Sequence, residues 1–165
     1  MREKIMELHN TKIDIEKDAR EKIIGILNQR LADASDLKSQ AKQAHWNVKG
    51  MNFIALHELF DQVSSALDPH VDDIAERITT LGGVALGTVR VAAQNSSLSE
   101  YPLEISDGAA HVDALSNALA DFGKKVRADI DRTDELGDKD TADLFTGISR
   151  SIDKLLWFVE AHLQA

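Results

Sequence analysis

The 165-residue sequence contains no cysteine, only two prolines and few aromatic residues. Without cysteine the chain cannot form disulfides, thiolate zinc sites or iron–sulfur clusters, so any metal must be held by His, Asp or Glu. The sequence also lacks an apolar run of the ~20 residues that a membrane span needs, and its charged start, MREKIMELHN, is unlike a signal peptide. We therefore expect a cytoplasmic protein with no membrane partner.

Basic residues are scarce as well. Asp and Glu outnumber Lys and Arg by 28 to 19, and the formal net charge is −9. A protein that coats nucleic acid needs clustered Lys and Arg for its phosphate contacts, so this balance argues against such coating as a general role. The balance is compatible with an acidic interior that attracts cations.

The residues that are present favour helix, and apolar side chains recur at helical spacing in four long stretches. The pattern predicts helices over about 18–48, 53–81 and 106–133, and a fourth from about 138 to the C-terminus. A long connection, 84–104, joins the second to the third and carries a short helix near 86–94. This arrangement is typical of an all-α, ferritin-like four-helix bundle with one long crossover. We expect residues 1–17 to form a mobile tail and residues 18–165 to form the bundle domain.

The second predicted helix carries four side chains that suit a metal such as iron. At 100° per residue, with His57 at 0°, Asp61 falls at about 40°, Asp72 at about 60° and Glu76 at about 100°. All four therefore face one side. Asp61 and Asp72 are 11 residues apart, however, or about 16 Å along the axis, which is too far for one site within one chain.

A two-fold dimer would bring these side chains together. The midpoint of positions 57 and 76 is 66.5, and so is the midpoint of 61 and 72. If the helix packs antiparallel against its own copy beside Ala66 and Leu67, His57 meets Glu76 of the partner subunit and Asp61 meets Asp72 of the partner subunit. His45, at the end of the first helix, can add a fifth ligand beside His57.

Another reading stays open, because a helix face with His, Asp and Glu is commonly just solvated. The Glu-x-x-His pairs that build di-iron sites inside a single bundle are absent from the sequence. This absence argues against a metal centre contained within one subunit.

The stretches QAHWNVKGMNFIALHELFDQ and HVDDIAERITTLGG closely resemble the Dps family, the mini-ferritins known as DNA-binding proteins from starved cells. The C-terminal stretch DKDTADLFTGISRSIDKLLWFVEAHLQ resembles the same family, and the likeness runs from about residue 20 onward. Its most specific part is the motif His-Trp-Asn at 45–47 and the spacing of the residues that follow it. His57 comes 12 residues after His45, Asp61 four after that, Asp72 11 further on and Glu76 four after Asp72.

The resemblance implies a dodecameric shell that stores iron, with a ferroxidase centre for two iron ions at each dimer interface. Fe(II) would be oxidised to Fe(III), with hydrogen peroxide preferred to dioxygen, and DNA would thereby be spared oxidative damage. Trp46 resembles a family tryptophan that packs the centre or traps a stray oxidising equivalent; an ordinary core role is equally open. The ligands carried over by position, which would also be the catalytic residues, are His45, His57 and Asp61 from one subunit with Asp72 and Glu76 from its mate.

The resemblance also places Asp140 and Asp143 in acidic three-fold pores, where carboxylates would concentrate cations. Asp138 could extend that funnel, although capping of the fourth helix is the favoured reading. Arg77 and Asp153 match a pair used in subunit contacts, and both could equally be solvated.

The remaining histidines receive no metal role. His70 could lie near the site, but a surface or core role is favoured. His9, His111 and His162 have no neighbours at ligand spacing.

A competing function is that of a structural nucleoid protein whose main work is DNA binding. Family members that bind DNA often use a Lys-rich tail, and the candidate contacts here are Arg2, Lys4 and Lys12. Glu3 and Glu7 interleave with them, so the tail is charge-balanced. DNA therefore remains a weakly supported partner.

Overall fold

The computed structural model describes residues 8–164 of the chain. This part is helical, without a β-strand among the described residues, and a single 3-10 turn, Ala161–Leu163, closes it. None of the helices between residues 8 and 164 is both long and apolar enough to cross a bilayer. In chain order the helices are α1 (Lys17–Asn47), α2 (Phe53–Thr80), α3 (Val89–Asn95), α4 (Gly108–Glu135) and α5 (Lys139–Glu160).

The four long helices begin and end within a few residues of the predicted bounds, and each turns its apolar stripe toward one shared core. The helical spacing of apolar residues also predicts that Ile54, Ala109 and Leu163 are buried, and this is wrong because all three are exposed. All three lie in the first or last turn of the helical structure. Fully buried members of the core include Leu27, Leu37, Val63, Ile74, Leu115, Phe122, Phe145 and Ile152.

Two short turns fold the long helices into two antiparallel hairpins, α1 with α2 and α4 with α5. Gly50 and Gly137 lie in these turns with φ angles of 109° and 85°, a region that L side chains rarely adopt. The segment from Leu81 to Asp107 then crosses between the hairpins, and α3 within it packs on α1. The predicted ferritin-like topology with one long crossover is confirmed.

A buried ion cluster fastens the crossover to the bundle. Arg30 contacts Asp33 at 2.7 Å and Asp129 of α4 at 2.9 Å, and Arg132 contacts Asp129 at 2.8 Å. The Ser97 backbone N–H and hydroxyl of the crossover both donate to Asp33. Burial raises the pKa of Asp129, and the two arginines oppose that rise.

The N-terminal segment 8–16 lies against the bundle. The His9 N–H donates to the Gly82 carbonyl at 2.8 Å, and Ile15 packs on the core. The part of the predicted tail 1–17 that the structure describes is thus attached beside the end of α2.

Candidate metal centre

The turn between α1 and α2 brings His45 and His57 into direct contact. Their rings stack with centroids 3.8 Å apart and planes 20° from parallel. His45 Nδ1 lies 2.7 Å from the His57 carbonyl oxygen, and His57 Nδ1 lies 2.8 Å from the His45 carbonyl oxygen. We call this reciprocal arrangement of His45 and His57 the histidine clasp.

The clasp fixes which ring nitrogen is available for a metal. A carbonyl oxygen only accepts hydrogen bonds, so each Nδ1 must carry a hydrogen and donate it. In the neutral ring, Nε2 then keeps its lone pair, which is the form that binds a metal ion. A backbone carbonyl that orients a ligand imidazole is a frequent feature of protein metal sites.

Asp61 lies one turn after His57 on α2 and is held by a cation. Lys42 Nζ is 2.6 Å from Asp61 Oδ1. The hydrogen bond from Lys42, with the nearby His45 and His57, holds the pKa of the Asp61 carboxyl below its ordinary value. Lys42 was not among the predicted site residues, although its position three residues before His45 places it on the same side of α1.

Asp72 and Glu76 are exposed further along α2, far from the clasp. Among residues 8–164 no group of three or more His, Asp or Glu side chains lies close enough to hold a metal ion. One chain therefore presents two separate partial sites. We call His57 and Asp61, with His45 beside them, the histidine end of α2, and Asp72 with Glu76 the carboxylate end.

The middle of α2 differs from expectation. Leu67 is fully buried, and Ala66 packs partly against the core, so neither faces outward. Ser65 is exposed and falls at about 80° on the scale that places His57 at 0°, within the ligand sector. The small residue on the outward face is thus Ser65, and the exposed Ile54 falls in the same sector at about 60°.

Two aromatic side chains lie beside the histidine end. Trp46 is 66% exposed in the single chain, with Lys42 Nζ 5.7 Å from its ring centroid. Phe53 is 5.0 Å from the His57 ring, centroid to centroid. Trp46 is therefore not a core residue of the single chain.

Near the carboxylate end, Arg77 anchors α2 to α5. Its guanidinium donates to Asp138 at 2.7 Å and to the Thr141 hydroxyl at 2.9 Å. Asp138 is buried and caps α5 by accepting from the Thr141 N–H, so the predicted capping role is confirmed. Burial alone would raise the pKa of Asp138, but the bonds from Thr141 and Arg77 outweigh it and lower that pKa.

Arg77 and Asp153, which match a pair used in the family's subunit contacts, do not contact each other within the chain, and a contact between subunits stays a prediction. Asp153 instead contacts Arg127 at 2.6 Å, on an exposed surface of the second hairpin. Asp140 and Asp143, the predicted pore residues, are both exposed near the start of α5. Neither carboxylate is buried within the chain.

The other described histidines lie away from the histidine clasp. His70 is half-buried, and burial lowers its pKa. His111 is buried against Tyr101, whereas His9 and His162 lie at opposite ends of the described chain. The structure gives none of them a place in either partial site.

A four-helix bundle with one long crossover, carrying histidine and carboxylate side chains along α2, is the pattern of a ferritin-like protein. Residues 24–165 match the ferritin-like domain family, which covers most of the chain. The chain belongs, within that class, to the Dps family, whose members are named for DNA protection during starvation.

Relatives in sequence and structure agree with this assignment. The DNA protection during starvation protein of Agrobacterium fabrum is 47% identical and spans 96% of this chain and 98% of its own. DpsA14 from Streptomyces coelicolor is 35% identical with a TM-score of 0.91, covering 96% of this chain and 94% of that one. The Dps of Microbacterium arborescens in its high iron form is 31% identical, with a TM-score of 0.84 over 91% of this chain and 97% of that one.

Proposed function

We propose that the protein is a ferroxidase that oxidises Fe(II) at sites shared by two chains and stores the Fe(III) product. The histidine clasp is the observation that carries this proposal. When both rings are neutral, their two Nε2 atoms and the Asp61 carboxylate form half of a ligand set, and the residues that would complete it lie on the same face of α2, out of reach within one chain. The high iron form of the relative from M. arborescens supports iron as the substrate.

A second copy completes the ligand set by symmetry. With α2 antiparallel to its own copy, the histidine end of one chain meets the carboxylate end of the other at both ends of the contact. Position 65 then faces position 68, since their midpoint is also 66.5. The exposed Ser65 is small enough for a close helix approach.

The donor set fits the chemistry. Carboxylates stabilise the ferric product, and few protein ligands leave positions open for the oxidant. Two ferrous ions lose one electron each, while one hydrogen peroxide gains both electrons and two protons and becomes two waters. Because both electrons are supplied together, no hydroxyl radical is released. Dioxygen is the alternative oxidant.

Storage requires a closed assembly, and we propose the dodecamer typical of the family. Asp140 and Asp143 then surround the entry pores, where exposed carboxylates raise the local cation concentration. Neutralising both residues should slow iron uptake by the assembled shell and leave oxidation of iron already at the sites unchanged.

DNA protection follows from this reaction without contact with DNA, since both Fe(II) and peroxide are consumed near the nucleoid in the cytoplasm. The alternative of direct DNA binding rests on Arg2, Lys4 and Lys12, of which only Lys12 lies within the described residues. Lys12 is exposed, but Asp14 and Glu16 follow it closely. In a gel shift at physiological salt we expect no retarded DNA band for the wild-type protein. A retarded band that Lys12→Ala removes would contradict this expectation.

The proposed reaction is tested with anaerobic protein that receives Fe(II) and then hydrogen peroxide. Ferric absorbance should rise rapidly with little radical formation in the wild type. His57→Ala and Asp61→Ala should each slow it by more than the roughly 10–100-fold that loss of a residue orienting a metal ligand costs, because each removes a ligand itself. Equal rates in all three proteins would show that these residues are not the site, and DNA binding would become the leading function.

A further inference from the structure

The single tyrosine of the chain is paired with a buried histidine behind the histidine end of α2. The Tyr101 hydroxyl lies 2.7 Å from His111 Nδ1, and their rings are 19° from parallel with centroids 6.0 Å apart. His111 is 1% exposed and Tyr101 is half-buried. The crossover supplies the tyrosine and α4 supplies the histidine.

Burial keeps both partners neutral. It raises the pKa of Tyr101 and lowers the pKa of His111. Neutral imidazole has one free nitrogen, and the Tyr101 hydroxyl can donate to it. Within the described residues His111 Nε2 makes no close hydrogen bond, although the backbone of Asn47 and Ile105 offers acceptors to this ring. The Tyr101 hydroxyl is thus hydrogen-bonded to an imidazole nitrogen that can accept its proton.

The pair packs against the two helices that carry the predicted iron ligands. The His111 ring centroid is 6.3 Å from that of Phe60, which lies between His57 and Asp61 in α2. Asn47, whose backbone faces His111, follows His45 by two residues in α1. The end of α1 and the start of α2 therefore both contact the His111 ring.

Trp46 lies in a different environment from Tyr101. The Lys42 ammonium is 5.7 Å from its ring centroid, and the same ammonium pairs with the Asp61 carboxylate at 2.6 Å. Trp46 is also largely exposed, and Lys42 is the only partner that the structure records for its side chain within residues 8–164. An ammonium cannot accept a proton, whereas His111 can.

We propose that Tyr101, with His111 as its proton acceptor, supplies the second electron when only one ferrous ion is present and hydrogen peroxide arrives. Tyr101 loses one electron and passes its hydroxyl proton to His111 Nδ1, and Fe(II) loses the other electron. Peroxide takes both electrons and two protons and forms two waters, so that the products are Fe(III), a neutral tyrosyl radical and water. The reaction rests on the proposed ferroxidase function and extends it to half-loaded centres.

The test uses the assembled protein, loaded anaerobically with one Fe(II) per histidine clasp, mixed with hydrogen peroxide and frozen within milliseconds. Electron paramagnetic resonance should show a tyrosyl radical that Tyr101→Phe abolishes and His111→Gln reduces severalfold, while Trp46→Phe retains it. Because the chain has one tyrosine, ring-deuterated tyrosine in the wild type should narrow the same signal without any mutation. This labelled sample keeps the test valid even if a variant fails to fold.

Ferric absorbance is recorded on the same samples. Iron oxidation with no tyrosyl signal, or with a signal unchanged by deuteration, would overturn the role of Tyr101 and leave the ferroxidase function standing. An undiminished signal in His111→Gln would overturn His111 as the proton acceptor. Absence of iron oxidation in the wild type would overturn the ferroxidase function and this inference together.

Discussion

The two ends of α2 offer the same metal opposite kinds of ligand environment. At the histidine end, two rings are stacked and each donates to the other's backbone carbonyl, and Asp61 is held by Lys42. At the carboxylate end, Asp72 and Glu76 are exposed, and the structure records no side-chain partner for them within residues 8–164. One end is preorganised and the other is free to move.

This difference suits a site in which one chain supplies the histidine end and its partner supplies the carboxylate end. Rigid imidazoles fix the position and the tautomer of the first ligands, which lowers the entropy that binding must overcome. Free carboxylates can change orientation as the charge on the metal rises by one, a change that fixed ligands would resist. The proposed shared site would therefore join a rigid half from one chain to an adaptable half from its partner.

The largest predicted effect comes from separating the two ends genetically. His57→Ala destroys the histidine end, Glu76→Gln damages the carboxylate end, and each variant alone should lose most ferroxidase activity. Unfolded together in equal amounts and reassembled, they should regain about a quarter of the sites, because half of the dimers are mixed and each has one intact site. The readout is ferric absorbance after peroxide addition.

A mixture of the two unreassembled proteins is the control for that experiment. It should stay inactive until subunits exchange. If reassembled mixtures stay inactive although mixed assemblies are detected by mass spectrometry, both ends serve a site within the same chain and the shared-site proposal fails.

A smaller effect is expected from the anchor beside the carboxylate end. Arg77→Met leaves Asp138 buried without its cation, which should cost about 3 kcal/mol of unfolding free energy, measured by denaturant titration. Because the folded pKa of Asp138 is lowered, this stabilisation is present above its ordinary value of 3.8 and is lost as the pH falls through the lower folded value. The difference between wild type and variant should therefore shrink in acid.

Arg127→Met provides the matched comparison for the anchor. It removes the Arg127–Asp153 pair, in which both side chains are about half exposed, and should cost less than about 1 kcal/mol at any pH. Equal losses in the two variants would show that burial of Asp138 has no special energetic role.

The smallest predicted effect concerns the cation at the histidine end. Lys42 competes with a metal ion for Asp61, so Lys42→Met should tighten anaerobic Fe(II) binding by about 2–5-fold, as expected for a partly exposed pair. Calorimetric titration measures this change. Lys125→Met, which removes a partly exposed pair with Asp121 on α4, serves as the control and should leave the affinity unaltered. Weaker binding in Lys42→Met would mean that Lys42 supports the site instead of competing for it.

Features that depend on helical periodicity were predictable from the sequence. The spacing of apolar residues placed the four long helices and most of their buried faces, and the same periodicity put His57, Asp61, Asp72 and Glu76 on one side of α2. Ile54 was assigned to the apolar stripe, but the same periodicity places it at about 60°, on the side of α2 that carries His57 and Asp61, and it is exposed.

Pairings between distant segments were not predictable. Within the chain Arg77 contacts Asp138 and Thr141, and His111, which lacked ligand-spaced neighbours in sequence, meets Tyr101 of the crossover. The clasp itself depends on backbone carbonyls, which every residue carries and no sequence pattern marks. Such contacts depend on how the hairpins pack, whereas spacing along one helix does not.

The histidine clasp links positions only 12 residues apart, so it belongs to a hairpin that can form early in folding. Each chain then carries half of a chelate before it meets another copy. If metal binds only where two chains meet, thermodynamic linkage requires that rising Fe(II) concentration strengthens the association of those chains. Fe(II) would thus stabilise the assembly of the chains. Dilution in the presence of a chelator would be the condition under which the assembly dissociates.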